Sequence, residues 1–313
     1  MEESYKNEFN TIDEEISLRE LFNVLLHGKW IIISITSFAS IVAVIYSLSL
    51  PNIYASKALL YKVDSSSSIS GSLGSYSGLA SLAGINIPSA DSQANGTKAL
   101  KTITSLNFFK NNVMPEIFLP DLMSVNSWDH TTNTLVYDEK IYDINTKSWV
   151  RDYDYPSKQI PSAQESYAVF LGKHLSISED KKTGLITLTM KHQSPYTAKK
   201  WSDLLIREVN DYYREKDKTE AQKAVIFLNN QIKMTNLSEI KQVIAELLKQ
   251  QTQKLALIEA NQSYVFDYID PPAVMERKSE PKRSIICILG FLLGLIISIF
   301  VVLLKHYGPS KKS

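Results

Sequence analysis

The chain has 313 residues, with 34 Lys and Arg against 33 Asp and Glu and a formal net charge of +1. That balance excludes the basic excess by which proteins grip nucleic acid. The single cysteine, Cys287, excludes an intramolecular disulfide, so any folded body must be held by packing.

In chain order, residues 1–29 begin with the acidic Asp13, Glu14 and Glu15. Leu18, Leu21, Phe22, Leu25 and Leu26 then step by three and four, an amphipathic helix pattern with Ser17 placed to cap it. Residues 30–50 form an uncharged run closed by Pro51. It is not a cleavable signal peptide, because an acidic lead-in precedes it and no small-residue cleavage site precedes Pro51. Residues 54–63 read as a strand, followed over 64–96 by a serine- and glycine-rich stretch that contains the apolar Leu79, Leu82 and Ile85. No Gly-Lys-Ser or Gly-Lys-Thr follows those glycines, which argues against a phosphate cradle.

Residues 98–113 read as one helix with Ile103, Leu106 and Phe109 on one side, residues 114–162 as irregular, and residues 166–171 as a short helix. A hairpin is expected where Leu175 and Ile177, then Ile186, Leu188 and Met190, flank the turn ending at Gly184. Ser194 and Pro195 open a helix as cap and first turn. From Tyr196 to Asn261 the apolar stripes are helical: Trp201, Leu205, Val209 and Tyr212; Ala221, Val225, Leu228 and Ile232; and Leu237, Ile240, Ile244, Leu248, Leu255 and Ile258. Asn236 and Glu239 resemble a capping box for a new helix between the last two stripes. A strand over residues 264–270 brings the chain back, so residues 196–262 are expected to form a helical hairpin of coiled-coil character. Its outgoing arm would reach about 60 Å. The stripes are narrow, and burying them against copies of the same chain favours a ring or bundle of subunits.

Residues 271–283 carry Pro271, Pro272, Pro281, Lys282 and Arg283, and residues 284–304 form a second uncharged run. Each run rises about 30 Å as a helix, enough to cross a bilayer. Two crossings put both termini on one side of the membrane and residues 51–283 on the other. Basic residues flank both sides of the spans, and loops beyond about 60 residues escape the positive-inside rule, so charge does not orient the chain. Gly290 and Gly294 fall on one face and admit a close helix neighbour, either the first span or a partner membrane protein.

No catalytic residue, metal site or cofactor site is expected. His27, His130, His174, His192 and His306 are scattered without ligand spacing, and no nucleophile elbow, zinc-protease or kinase signature is present.

The ends of the chain carry a resemblance. The run from Asp13 to Phe22, then Gly28, Lys29 and Trp30, then Leu48 to Tyr54, resembles the amino-terminal signature of the Wzz family of polysaccharide co-polymerases, or chain length determinants. Residues 79–85 are similar to the loop that follows it in many members. Tyr264, Val265 and Phe266, then Ile269, Asp270 and Pro271, then residues 279–283, resemble the family's proline-rich segment. Met275 stands where members commonly carry another proline, while Pro272 adds one nearby. With nothing resembling a kinase domain after the second run, the resemblance is to the kinase-less class.

It implies an α+β fold: two transmembrane helices flanking a periplasmic α/β base with a long projecting helical hairpin. The expected division is a cytoplasmic segment 1–29, a span 30–50, a periplasmic domain 51–283, a span 284–304 and a cytoplasmic tail 305–313. Within the periplasmic domain the base takes residues 51–195 and 263–270, the arm 196–262 and the proline-rich segment 271–283. The implied function is non-catalytic regulation of O-antigen chain length in lipopolysaccharide biosynthesis at the bacterial inner membrane. Its implied partners are copies of itself, a separate polymerase, undecaprenyl-linked polysaccharide and membrane lipid. The competing expectation is an adaptor or fusion component of a membrane export complex, which also projects long helices.

Overall fold

The computed structural model describes residues 18–63, 92–261 and 263–307. The expectations for Ser17, for residues 79–85 and for the tail beyond Tyr307 lie outside the described residues. The fold is α+β, and the chain divides into two units, one of residues 1–51 with 280–313 and one of residues 52–279.

The first unit is helical. Its helices are α1 (Leu18–His27), α2 (Lys29–Ser49) and the last helix of the chain, Arg283–Tyr307. In α1 the buried side chain is Val24, while Phe22 and Leu26 of the expected stripe are exposed. The helix lies against the last helix of the chain, and that contact selects a different face from the one periodicity marks.

The second unit is built on a four-stranded antiparallel sheet with order β6-β7-β1-β8. Its strands are β1 (Tyr54–Lys62), β6 (Leu175–Glu179), β7 (Ile186–His192) and β8 (Phe266–Asp270). In β7 every second residue, Ile186, Leu188, Met190 and His192, is buried, as the period of a half-covered strand requires. Their cross-strand partners Leu60, Ala58 and Ser56 on β1 are buried too.

Between β1 and β6 the chain forms α3 (Ser92–Ile103), a short turn α4 (Leu106–Phe108), a π-helical turn (Phe109–Val113), a 3-10 turn (Met114–Glu116) and α5 (Leu119–Met123). The single helix expected over residues 98–113 is therefore broken. Ser105 is extended and accepts from the Phe108 N–H, which starts a new turn and exchanges Leu106, now exposed, for the buried Phe108.

Residues 114–162, expected to be irregular, hold two hairpins: β2 (Val125–Asp129) with β3 (Thr134–Tyr137), and β4 (Tyr142–Asp143) with β5 (Ser148–Trp149). Both turns use the chemistry of the β6–β7 turn. Asp129 accepts from the Thr131 N–H and the Thr132 hydroxyl, Asp143 from the Asn145 N–H and the Thr146 hydroxyl, and Asp180 from the Lys182 N–H and the Thr183 hydroxyl. These bonds favour the carboxylate form, holding Asp129 down to about 2 and Asp143 and Asp180 below their usual range. Each turn closes on a residue at positive φ: Asn133, Lys147 and Gly184.

After α6 (Ala163–Val169) and a second π-helical turn (Phe170–His174) come β6 and β7, then α7 (Pro195–Met234), 40 residues long, and α8 (Ser238–Ala260). Ser194 caps α7 by accepting from the Thr197 N–H. The amino-terminal half of α7 covers the sheet with Trp201, Leu204, Leu205 and Val209, all nearly inaccessible. Its outer half packs on α8 through a separate cluster of Leu228, Ile244 and Leu247. The expected capping box does not form. Leu237 occupies the N-cap with no side-chain bond, so Asn236 and Glu239 each sit one position early.

A buried asparagine ties arm to sheet. Asn210 accepts from the N–H groups of Val265 and Phe266 (2.9 and 3.0 Å) and donates to the Phe266 carbonyl (2.9 Å). Asparagine is a poor mid-helix residue, and here its amide substitutes for a strand partner at the chain's return. Asn210→Leu should cost about 3 kcal/mol, because it strands two buried N–H groups and one carbonyl; a denaturant midpoint unchanged in detergent would contradict this. At the hairpin turns, Lys147→Gly should raise stability by about 1 kcal/mol and Gly184→Ala should lower it by a similar amount, since only glycine adopts positive φ freely. Opposite signs in thermal unfolding check the pair.

Candidate functional site: the paired helices and the segment before them

The last helix of the chain, α9 (Arg283–Tyr307), and α2 are each long and apolar enough to cross a membrane. Their burial is inverted relative to the core helix of a soluble protein. Large side chains such as Phe38, Ile41 and Ile45 on α2 and Ile288, Leu293, Ile296 and Phe300 on α9 are exposed. Burial falls on small residues and on one seam, with Thr36 and Ser47 on α2 and Gly294, Ser298 and Val302 on α9. Lipid tails are as apolar as leucine and give no hydrophobic drive for two such helices to meet, so close backbone packing and hydrogen bonds must hold the pair.

The seam supplies both. A Cβ on Gly290 would overlap the Ala43 methyl, one on Gly294 would lie 2.6 Å from the Ala39 Cβ and 3.3 Å from the Thr36 Cα, and one on Gly28 would lie 2.5 Å from Val302. Thr36 donates to the Ser298 hydroxyl at 3.4 Å. Ser298 and Ser40 return their protons to the Leu295 and Thr36 carbonyls, which satisfies those hydroxyls within their own helices. As α9 numbers rise from 290 to 302, their partners fall from 43 on α2 to 28 at its N-cap, so the pair is antiparallel. At one end Arg283 Nε donates to the Ser47 carbonyl at 3.2 Å, placing a cation at the carboxyl end of α2 where the helix dipole favours it.

Of the residues singled out in the sequence, Arg283, Gly290 and Gly294 are thus brought together along one seam. Pro281 is half-buried and Lys282 exposed just before it. Pro271 and Pro272 belong to the other unit, the first exposed and the second buried. There the segment after β8 runs beside the start of β1. Ser56 donates to the Ala273 carbonyl, the Ser279 N–H to the Ile53 carbonyl, and Lys278 to the Asn52 amide oxygen. The seam partners Ala39, Ala43 and Thr36 were missed from sequence, although they also recur at three- and four-residue spacing.

The second unit holds a buried polar cluster that sequence reading also missed. His174 and His192 lie 5.6 Å apart, ring centre to ring centre, and both pack edge-on against Trp201. The hairpin register could have found them, since pairing Leu175 with Met190 brings the two histidines alongside. His192 is 2% exposed, and burial pulls it down to about 4; burial lowers His174 as well. Among the described residues no group of three or more His, Cys, Asp or Glu could hold an ion. An open cavity of about 300 Å³ is lined by Arg151, Asp152, Tyr153, Asp154 and Ser157. Arg151 itself is committed to Glu165 and to the Lys158 and Gln159 carbonyls.

In a background lacking Cys287, Thr36→Cys with Ser298→Cys should crosslink α2 to α9. Gly290→Leu with Gly294→Leu should cut that yield severalfold, because overpacking costs about 1–3 kcal/mol. An undiminished yield would contradict the seam.

Comparison with known proteins places these features. The chain matches the Wzz family model, described as chain length determinant protein, over residues 14–111, which contain α1, α2 and β1. Over residues 231–307 it matches a second model, described as a G-rich domain on putative tyrosine kinase, which spans α8, β8 and α9. No curated protein matches. Among solved structures, a full-length bacterial polysaccharide co-polymerase aligns with 94% of this chain and 100% of its own at 15% identity and a TM-score of 0.40. A fragment of WzzB, a polysaccharide co-polymerase from Salmonella Typhimurium, aligns with 73% of this chain and 100% of its own at 14% identity and a TM-score of 0.32. The chain thus carries a match to the Wzz chain length determinant model over its first apolar helix and β1, and to the G-rich domain model over the return of the arm and its last helix.

Proposed function

We propose that this protein sets the chain length of a lipid-linked polysaccharide, O-antigen or a related surface glycan, as a non-catalytic scaffold in the bacterial inner membrane. Residues 51–283 lie in the periplasm, several copies assemble as a ring, and a separate polymerase makes the glycosidic bonds on an undecaprenyl carrier. The observation that carries the reading is the chain length determinant match over the first span and β1.

Two physical features support a scaffold. The paired spans commit α2 and α9 to each other and leave their outer faces apolar, suited to lipid or to a membrane-embedded partner. On the arm, Ile226, Phe227, Met234 and Leu237 are more than half exposed although they lie far along the hairpin from the sheet, which suits contact with neighbouring copies.

Deleting the gene and restoring it on a plasmid tests the proposal. The surface polysaccharide of the deletion strain should lose its modal band and spread to a broad distribution on a gel, and the plasmid should restore the mode. An unchanged distribution would overturn the reading. Normal glycan length with a general defect in secretion would favour the export adaptor instead.

A further inference from the structure

We propose that His192, with His174 and Trp201, forms an acid-releasable latch that pins the first turn of α7 to the end of β7. The bonds around the ring fix its state. The Ser194 N–H donates to His192 Nδ1 at 3.0 Å, so that nitrogen carries no proton; Nε2–H donates to the Asp121 carbonyl at 3.0 Å. His174 Nδ1–H is held on the Lys191 carbonyl at 2.7 Å. His192 is therefore neutral, and both of its ring nitrogens are engaged.

A proton added to His192 has one place to go, Nδ1, where it meets the Ser194 N–H donor against donor. It also puts a cation into a site that water hardly reaches. The charged groups around it offer no compensation. From α5, Asp121 presents its backbone carbonyl to the ring, while its carboxylate accepts from the Tyr137 hydroxyl at 2.7 Å and interacts with Lys200 of α7. From the π-helical turn come Lys173 and His174, and from β7 itself Lys191, none of which can supply a negative charge. Ser194 is also the N-cap of α7, its hydroxyl accepting from the Thr197 N–H, so a break at Nδ1 acts on the root of the arm.

The direction with pH follows from linkage. His192 is lowered from 6.5 to about 4 in the folded state, so the opened state binds the extra proton between those values. The latch is at full strength above pH 6.5 and weakens as pH falls toward 4, and His174, shifted the same way, adds to the effect.

Hydrogen exchange on the full chain in nanodiscs, corrected for intrinsic rates, tests this. The opening equilibrium for amides of residues 190–200 should rise about tenfold per pH unit between pH 6 and 4.5. Amides of residues 228–247, in the outer arm, should show no such slope. In His192→Gln, which keeps polar groups but cannot titrate, the slope at residues 190–200 should fall by at least half. Equal slopes in the variant and the parent, or in the two regions of the parent, would overturn the latch. Imidazole nitrogen shifts of the unmodified protein give a second reading that needs no variant. His192 should stay neutral, protonated at Nε2, at pH 5.5, and titration near 6.5 would overturn the proposal.

Discussion

Two helices coated with leucine, isoleucine and phenylalanine have no reason to associate in hydrocarbon except where their backbones can touch. In this protein that contact is the seam of Gly290 on Ala43 and Gly294 on Ala39, with Thr36 hydrogen-bonded to Ser298. At these contacts the facing side chains are a hydrogen, a methyl or a hydroxyl. The antiparallel sense follows from which residues meet. It sets the carboxyl end of α2 beside the amino end of α9, where Arg283 binds the Ser47 carbonyl. The polypeptide therefore leaves the pair and returns to it at the same end.

The unit of residues 52–279 solves a different problem. Its arm is two largely polar helices with a small apolar cluster of their own, and long polar helices owe most of their stability to tertiary packing. The sheet provides that packing at the root, and polar groups buried there set the geometry: Asn210 replaces a strand partner for Val265 and Phe266, and His192 accepts from the N-cap residue of α7. Such groups stabilise only while their bonds are complete. The same property that makes Asn210 a fixed tie makes His192 a conditional one, because only the imidazole can change its donor pattern with pH.

Much of this architecture was legible in the sequence, and the failures have physical causes. The spans were legible because an uncharged helix of bilayer length has few other uses. The β6–β7 hairpin was legible because glycine at 184 marks positive φ; the two hairpins with the same Asp and Thr bonds were hidden by Asn133 and Lys147 at that position. The long helix over residues 98–113 failed because Ser105, an ordinary residue in a helical pattern, accepts from the Phe108 N–H and breaks it. The capping box at Asn236 failed by a single residue, which periodicity cannot resolve. At the seam, spacing marked Gly290 and Gly294, while their partners on α2 were not legible because alanine and threonine are unremarkable in an apolar run. The histidine pair is a tertiary fact, reached from sequence only through the register of a hairpin.

Membrane topology is the claim on which the account most depends. With Cys287 replaced by serine, single cysteines at Lys147 and at Ser310 should be challenged in intact cells with a membrane-impermeant maleimide. The account predicts labelling at position 147 in intact cells and at position 310 only after the inner membrane is permeabilised. Labelling of both positions in intact cells, or of position 310 alone, would contradict it.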